Sequence, residues 1–123
     1  MRGKWILIYL WAYWCAPCVN EGLPKLAHFY ELNRENRNRF EIVAVHENGV
    51  PRRITVEELK EILGSLEKQV WGKPLPFPVL LDRTGDIIET WGISAYPTTE
   101  LINPDGVLMR GDLQTLASKL DLK

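Results

Sequence analysis

Two hydrophobic periods alternate along this chain. Trp5-Ile6-Leu7-Ile8-Tyr9-Leu10-Trp11 is apolar without interruption. That predicts a strand over about residues 4–11, buried on both faces and central in a sheet covered by helices. From Cys15 to about Leu32 the apolar residues Val19, Leu23, Leu26, Ala27 and Tyr30 recur at helical spacing and predict the inner stripe of a helix. Pro24 falls inside it. With no N–H to give the Asn20 carbonyl, it predicts a kink.

The polar run Asn33-Arg34-Glu35-Asn36-Arg37-Asn38-Arg39 reads as a solvated connection, and Phe40 to His46 as a second strand. A helix between two strands implies a parallel, right-handed crossover. A second helix is expected from about Val56 to Trp71. Thr55 and Glu58 form a capping-box pair at its start, and Val56, Leu59, Ile62, Leu63, Leu66 and Val70 one apolar face. The proline-rich stretch Gly72 to Pro78 is a loop, Val79-Leu80-Leu81 a short strand and Asp82-Arg83-Thr84-Gly85 a turn. Residues 86–93 read as a short helix. Thr98 to Asn103 and Val107 to Arg110 form a hairpin around Pro104-Asp105-Gly106. Gln114 to Leu122 is a closing helix with Asp112 as its N-cap and Leu116 and Leu120 facing inward. The order β-α-β-α-β-α-β-β-α describes a three-layer α/β fold with a mixed sheet.

The 123 residues suit a single domain, 1–123, with about 46–76 as a central insert. A net charge of −1 offers no basic footprint for nucleic acid or an anionic membrane. No segment reaches the ~20 apolar residues of a membrane helix. The basic start and small-residue cleavage site of a signal peptide are lacking too, so a soluble chain is expected. No repeat or low-complexity tract interrupts it.

Cys15 and Cys18, in Trp14-Cys15-Ala16-Pro17-Cys18, are the only cysteines. A strand that ends in Cys-x-x-Cys with a helix to follow places two sulfurs one helical turn apart, close enough to bridge reversibly. The first also sits at a helix N-terminus, where unpaired amides favour a thiolate. Thiol–disulfide exchange is therefore the leading reading. Zinc would need four ligands, and only His28 and His46 are left to complete the set, so no metal is expected. Haem attachment needs a histidine directly after the second cysteine, where Val19 stands. A purely structural bridge three residues apart would close too small a loop to stabilise much.

Two separated blocks then carry a resemblance. The first runs Leu10-Trp11-Ala12-Tyr13-Trp14-Cys15-Ala16-Pro17-Cys18-Val19-Asn20-Glu21. The second comprises Phe77-Pro78-Val79-Leu80-Leu81-Asp82, Trp91-Gly92-Ile93, Tyr96-Pro97-Thr98-Thr99 and Asn103-Pro104-Asp105-Gly106. In these the chain resembles the thioredoxin superfamily and, within it, the TlpA/ResA-like thiol–disulfide oxidoreductases. The resemblance implies a thioredoxin-like α/β/α sandwich with a helix-bearing insert, and a cis Tyr96–Pro97 bond facing the cysteines. It also implies protein dithiols or disulfides as substrates, an upstream redox partner, no cofactor beyond the Cys15–Cys18 disulfide, and a location outside the cytoplasm. Cys15 would be the exposed attacker and Cys18 the shielded resolving thiol. Glu21 matches the position of the ResA-like glutamate and would shuttle the proton Cys18 loses, with Glu100 a weaker candidate. Trp14, Ala16, Pro17, Tyr96 and Pro97 would seat an extended partner strand.

The chain departs from the family pattern at several places. It starts almost at the central strand, without the usual N-terminal strand. Tyr9 stands where thioredoxins hold a buried acid. Pro24 lies six residues after Cys18 rather than five, and Glu100 replaces an apolar residue. Two other classes remain open. One is a peroxiredoxin-like peroxide reductase, although Ala12 stands where those enzymes have threonine. The other is a non-catalytic partner-binding module of a larger protein.

Overall fold

The computed structural model describes residues 3–122. The strands are β1 (Trp5–Trp11), β2 (Phe40–His46), β3 (Val79–Leu81), β4 (Thr98–Ile102) and β5 (Leu108–Arg110). The α-helices are α1 (Leu23–Leu32), α2 (Val56–Leu66), α3 (Asp86–Thr90) and α4 (Leu113–Lys119). The sheet order is β3-β2-β1-β4-β5, with β1 central. β2 runs parallel to β1 and to β3, while β4 is antiparallel to β1 and to β5, so the sheet is mixed.

Side chains alternate across β1, and its unbroken apolar run feeds both faces. Leu7, Tyr9 and Trp11 join Leu23, Leu26, Ala27 and Tyr30 of the first helix and Leu116 and Leu120 of the last. Ile6, Ile8 and Leu10 join Val45 on the other face, against Ile87, Ile88, Trp91 and Ile93. Helices thus cover both faces of one sheet. This is the three-layer thioredoxin-like arrangement. Complete burial of residues such as Leu7 and Leu10 contributes about 1.5–3 kcal/mol apiece.

The first helix differs from expectation in one instructive way. Residues 16–32 are helical, but Cys18–Gly22 form a π-helical turn in which the Leu23 amide reaches the Cys18 carbonyl. Such a turn holds one residue more than an α-turn. It takes up the extra residue between Cys18 and Pro24 and leaves Pro24 in the first turn of α1, where the missing N–H is tolerated. The irregularity expected at Pro24 is thus met upstream, beside the cysteines.

The capping box of Thr55 and Glu58 opens α2, and Asp112 caps α4 through the Thr115 amide. α2 stops at Leu66, and Glu67–Trp71 continue as a second π-helical turn ending at Gly72 in the left-handed region. Its expected apolar face is only partly covered: Leu59 is buried, while Val56 and Val70 are exposed. The expected 86–93 helix is shorter, ending at Thr90. Asp82 starts it, its buried carboxylate accepting the Ile87 and Ile88 amides.

Candidate active site

β1 delivers the chain to the site. After Trp11 the fully buried Ala12 accepts the Cys15 amide at 3.0 Å, which closes a tight loop over residues 12–15. Helix begins at residue 16, and the Val19 amide bonds the Cys15 carbonyl. Pro17, with φ −60°, already has the helical backbone angle. Cys15 and Cys18 are joined as a disulfide, Cα atoms 5.3 Å apart. The Cys18 amide donates to Cys15 Sγ at 3.3 Å. An amide aimed at that sulfur, together with the helix start, favours negative charge on Cys15 once the pair is reduced.

Cys18 is 0% exposed and Cys15 only 5%. Cys15 is the less covered of the two residues, yet it too is buried, where the resemblance implies an exposed attacker. Around the pair, Trp14, Ala16, Pro17 and Pro97 are exposed and Tyr96 half-buried. The Tyr96–Pro97 bond is cis, as is Val50–Pro51. Thr98 is paired with Leu10, so Pro97 lies at the end of β1 from which the cysteine loop departs. The Trp14 and Tyr96 rings meet edge to face, centroids 5.7 Å apart, and tie the two segments together. The Trp14 indole N–H also donates to the Val50 carbonyl at 2.7 Å, reaching the segment that leads into α2.

Glu21 is exposed. Its charge reaches the buried Tyr9 phenol, whose pKa is pushed up to about 12 chiefly by burial and secondarily by Glu21. Glu100 is buried, but it pairs with Ile8 and so shares the α3 face of the sheet, whereas its neighbour Leu101 lies in the core that holds Cys15 and Cys18. The alternation of β4 therefore removes Glu100 from the sulfur chemistry. His28 is exposed on α1, and among the described residues no cluster of His, Cys, Asp and Glu is arranged to hold a metal ion.

Three residues beside the site were not singled out by sequence reasoning. His46, considered only as a metal ligand, is fully buried and accepts the Tyr13 amide at Nε2 (2.8 Å). Glu47, also buried, accepts the Val50 amide. Burial pushes its carboxyl pKa up, and hydrogen bonds from the Val50 and Gly49 amides and Trp14 oppose this. Trp71 donates its indole N–H to the Val19 carbonyl at 2.9 Å. A polar residue ending an apolar strand, His46-Glu47, was the one available signal for the first two. The third depended on how the segment after α2 folds back.

A family model described as the AhpC/TSA family matches residues 1–110. Thiol-disulfide oxidoreductase ResA of Geobacillus thermodenitrificans is 30% identical over 122 residues, covering 99% of this chain and 61% of that protein. The Bacillus subtilis protein of the same name is 31% identical over 110 residues, covering 89% and 53%. The chain thus spans about half to three fifths of the length of the curated relatives it matches. The crystal structure of StoA from Bacillus subtilis superposes with a TM-score of 0.70 at 22% identity, over 96% of this chain and 83% of that one. A thiol-disulfide isomerase from Corynebacterium glutamicum gives 0.75 at 20% identity, over 98% and 80%. At these identities the two structures speak for the fold alone. With its family match running through all five strands of the sheet, this chain belongs to the AhpC/TSA family and has the thioredoxin-like fold.

Proposed function

We propose that residues 1–123 form a single domain that acts as a thiol–disulfide oxidoreductase on proteins, with Cys15 and Cys18 as its redox couple and no other cofactor. The observation that carries this reading is the disulfide at the helix start, with the Cys18 amide directed at Cys15 Sγ and a rim of exposed residues around it. In the reduced state the Cys15 thiolate attacks a partner disulfide. A Cys15–partner bond forms, the partner S–S bond breaks, and the departing thiolate takes a proton. Cys18 then loses its proton and attacks Cys15 Sγ, which re-forms the Cys15–Cys18 disulfide and releases the second partner thiol. Two electrons pass to the partner, and an upstream dithiol restores the pair.

Glu21, exposed and three residues beyond Cys18, would pass the Cys18 proton to water. Trp14, Ala16, Pro17, Tyr96 and Pro97 would seat an extended partner segment across the sulfurs. Relatives named ResA support a site of action outside the cytoplasm. Among the described residues no helix is long and apolar enough to cross a membrane.

Reduction of a protein disulfide in the presence of dithiothreitol tests the activity, with hydrogen peroxide consumption run beside it. Protein disulfide reduction is expected. Peroxide turnover alone would make the chain a peroxidase, and inertness in both assays a binding module. Cys18→Ser should trap a mixed disulfide through Cys15, and Cys15→Ser should abolish exchange. Glu21→Gln should slow the resolving step and leave the fold intact. An unchanged pH–rate profile would return Glu21 to the solvated surface.

A further inference from the structure

The sulfur chemistry leaves one fully buried titratable group beside it without a role. His46 ends β2 opposite Trp11, and both of its ring nitrogens are engaged. Nδ1 lies 2.5 Å from the Glu47 carbonyl oxygen. That oxygen can only accept, so the ring proton sits on Nδ1. Nε2 is then a bare acceptor, and it takes the N–H of Tyr13 at 2.8 Å. The Trp11 ring meets the imidazole edge-on at 4.7 Å, and the Tyr13 ring stacks on it at 5.7 Å with 12° between the planes. Three of these four contacts reach residues 11 and 13, in the segment that leads from β1 into Trp14 and Cys15. The loop presenting the site is held by a side chain 33 residues away in sequence.

We propose that His46 is a positioning residue for the exchange reaction, anchoring the 12–15 loop that carries Trp14 and Cys15, and that it does so only as the neutral Nδ1–H imidazole. The inference rests on the redox reading above. An imidazolium would turn a proton from Nε2 toward the Tyr13 amide proton. Two donors then face each other, and the anchor is lost. Burial disfavours that charged form and holds the ring below the ordinary histidine pKa, with the Glu47 carbonyl opposing. The titratable neighbours are Tyr13, Glu47 and Asp82. The Glu47 carboxylate accepts the Val50 amide, and Asp82 gives its amide to the His46 carbonyl while its carboxylate accepts the Ile87 and Ile88 amides. Acidification should therefore slow attack by Cys15 for two separable reasons, loss of the thiolate and loss of the anchor.

Nitrogen NMR of the intact protein tests the anchor without reference to activity. At pH 8 the His46 Nε2 should carry no proton, and the Tyr13 amide signal should move with the acid titration of His46. A proton on Nε2 at pH 8, or a Tyr13 amide indifferent to that titration, overturns the proposal. The functional arm is single-turnover attack of the reduced protein on the aromatic disulfide of Ellman's reagent. His46→Leu, which orphans the Tyr13 amide, should be about ten-fold slower at pH 8. His46→Gln, which keeps an acceptor and cannot charge, should hold the parent rate and lose the anchor's share of the acid limb. A folded His46→Leu that reacts at the parent rate overturns the proposal, and if that variant does not fold the NMR measurement decides. Failure of the redox reading would show separately, as inertness toward protein disulfides in a chain whose His46 and Tyr13 signals behave as described.

Discussion

The phenol of Tyr9 fills the space that a side chain at residue 22 would need: a Cβ built on Gly22 would overlap the Tyr9 hydroxyl, with the ring carbon behind it at 2.7 Å. Gly22 has ordinary right-handed helical angles, φ −64° and ψ −53°, so no left-handed backbone requires a glycine there. Its lack of a side chain is a packing requirement set by β1. The same phenol is buried and has no hydrogen-bond partner among the described residues.

Gly22→Ala should therefore destabilise the protein by about 1–3 kcal/mol through overpacking, against the usual gain from replacing a helical glycine. Tyr9→Val combined with Gly22→Ala should recover part of that loss, a non-additivity readable in denaturant midpoints. Additive effects would mean that the two residues do not share this space.

Tyr9→Phe should stabilise the fold by about 1 kcal/mol, because it deletes a buried hydroxyl that has no hydrogen-bond partner among the described residues. The folded phenol titrates at about 12 against an ordinary 10.0. Between those values the unfolded chain has released its proton and the native state has not, so the Tyr9 contribution to stability falls as pH rises. Parent and Tyr9→Phe stabilities, compared from pH 9 to 12, should therefore draw apart, the parent losing with rising pH a contribution that Tyr9→Phe does not have, and a constant difference would exclude the shift. Absorbance at 295 nm follows the ionisation directly.

Trp71 closes the gap left by Pro24. In the π-helical turn the amide of residue 24 would be the natural donor to the Val19 carbonyl, and proline has none; the Trp71 indole N–H takes its place. Trp71→Phe should cost about 1 kcal/mol beyond any packing loss. Pro24→Ala, which restores an amide, should make Trp71→Phe milder. A double-mutant cycle with no coupling would refute this exchange of donors.

Stability should decline on the acid side through His46. Its native pKa lies below the ordinary 6.5, so as pH falls beneath 6.5 the unfolded chain gains a proton that the native state refuses. The loss begins at 6.5 and levels off at the lower native value. Subtracting the stability–pH curve of His46→Gln from that of the parent should isolate this limb, and superimposable curves would exclude it.

Much of this was legible along the chain because it is a matter of local period. The seven apolar residues of β1, the stripe Val19, Leu23, Leu26, Ala27 and Tyr30, the capping box at Thr55, the N-cap at Asp112, and the strand–Cys-x-x-Cys–helix order each depend on neighbours within a turn or two. They suffice for a mixed, three-layer α/β fold with two sulfurs at a helix start. The family resemblance added the Tyr96–Pro97 segment. Less legible was whatever required two distant segments to be in contact. Glu100 looked like a candidate acid until strand pairing assigned it to the α3 face, and His46 looked like a spare ligand until Tyr13 was placed against its ring.

The sequence by itself determined which elements form and which of their faces are apolar, because hydrophobic period and capping act over a few residues. Only the tertiary structure decided that Tyr9 and Gly22 share one space, that Trp71 serves the Val19 carbonyl, and that His46 holds the loop before Cys15. Hydrogen bonds and close packing operate at 3–4 Å, and a linear chain does not reveal which residues will come that near until its helices and sheet have packed.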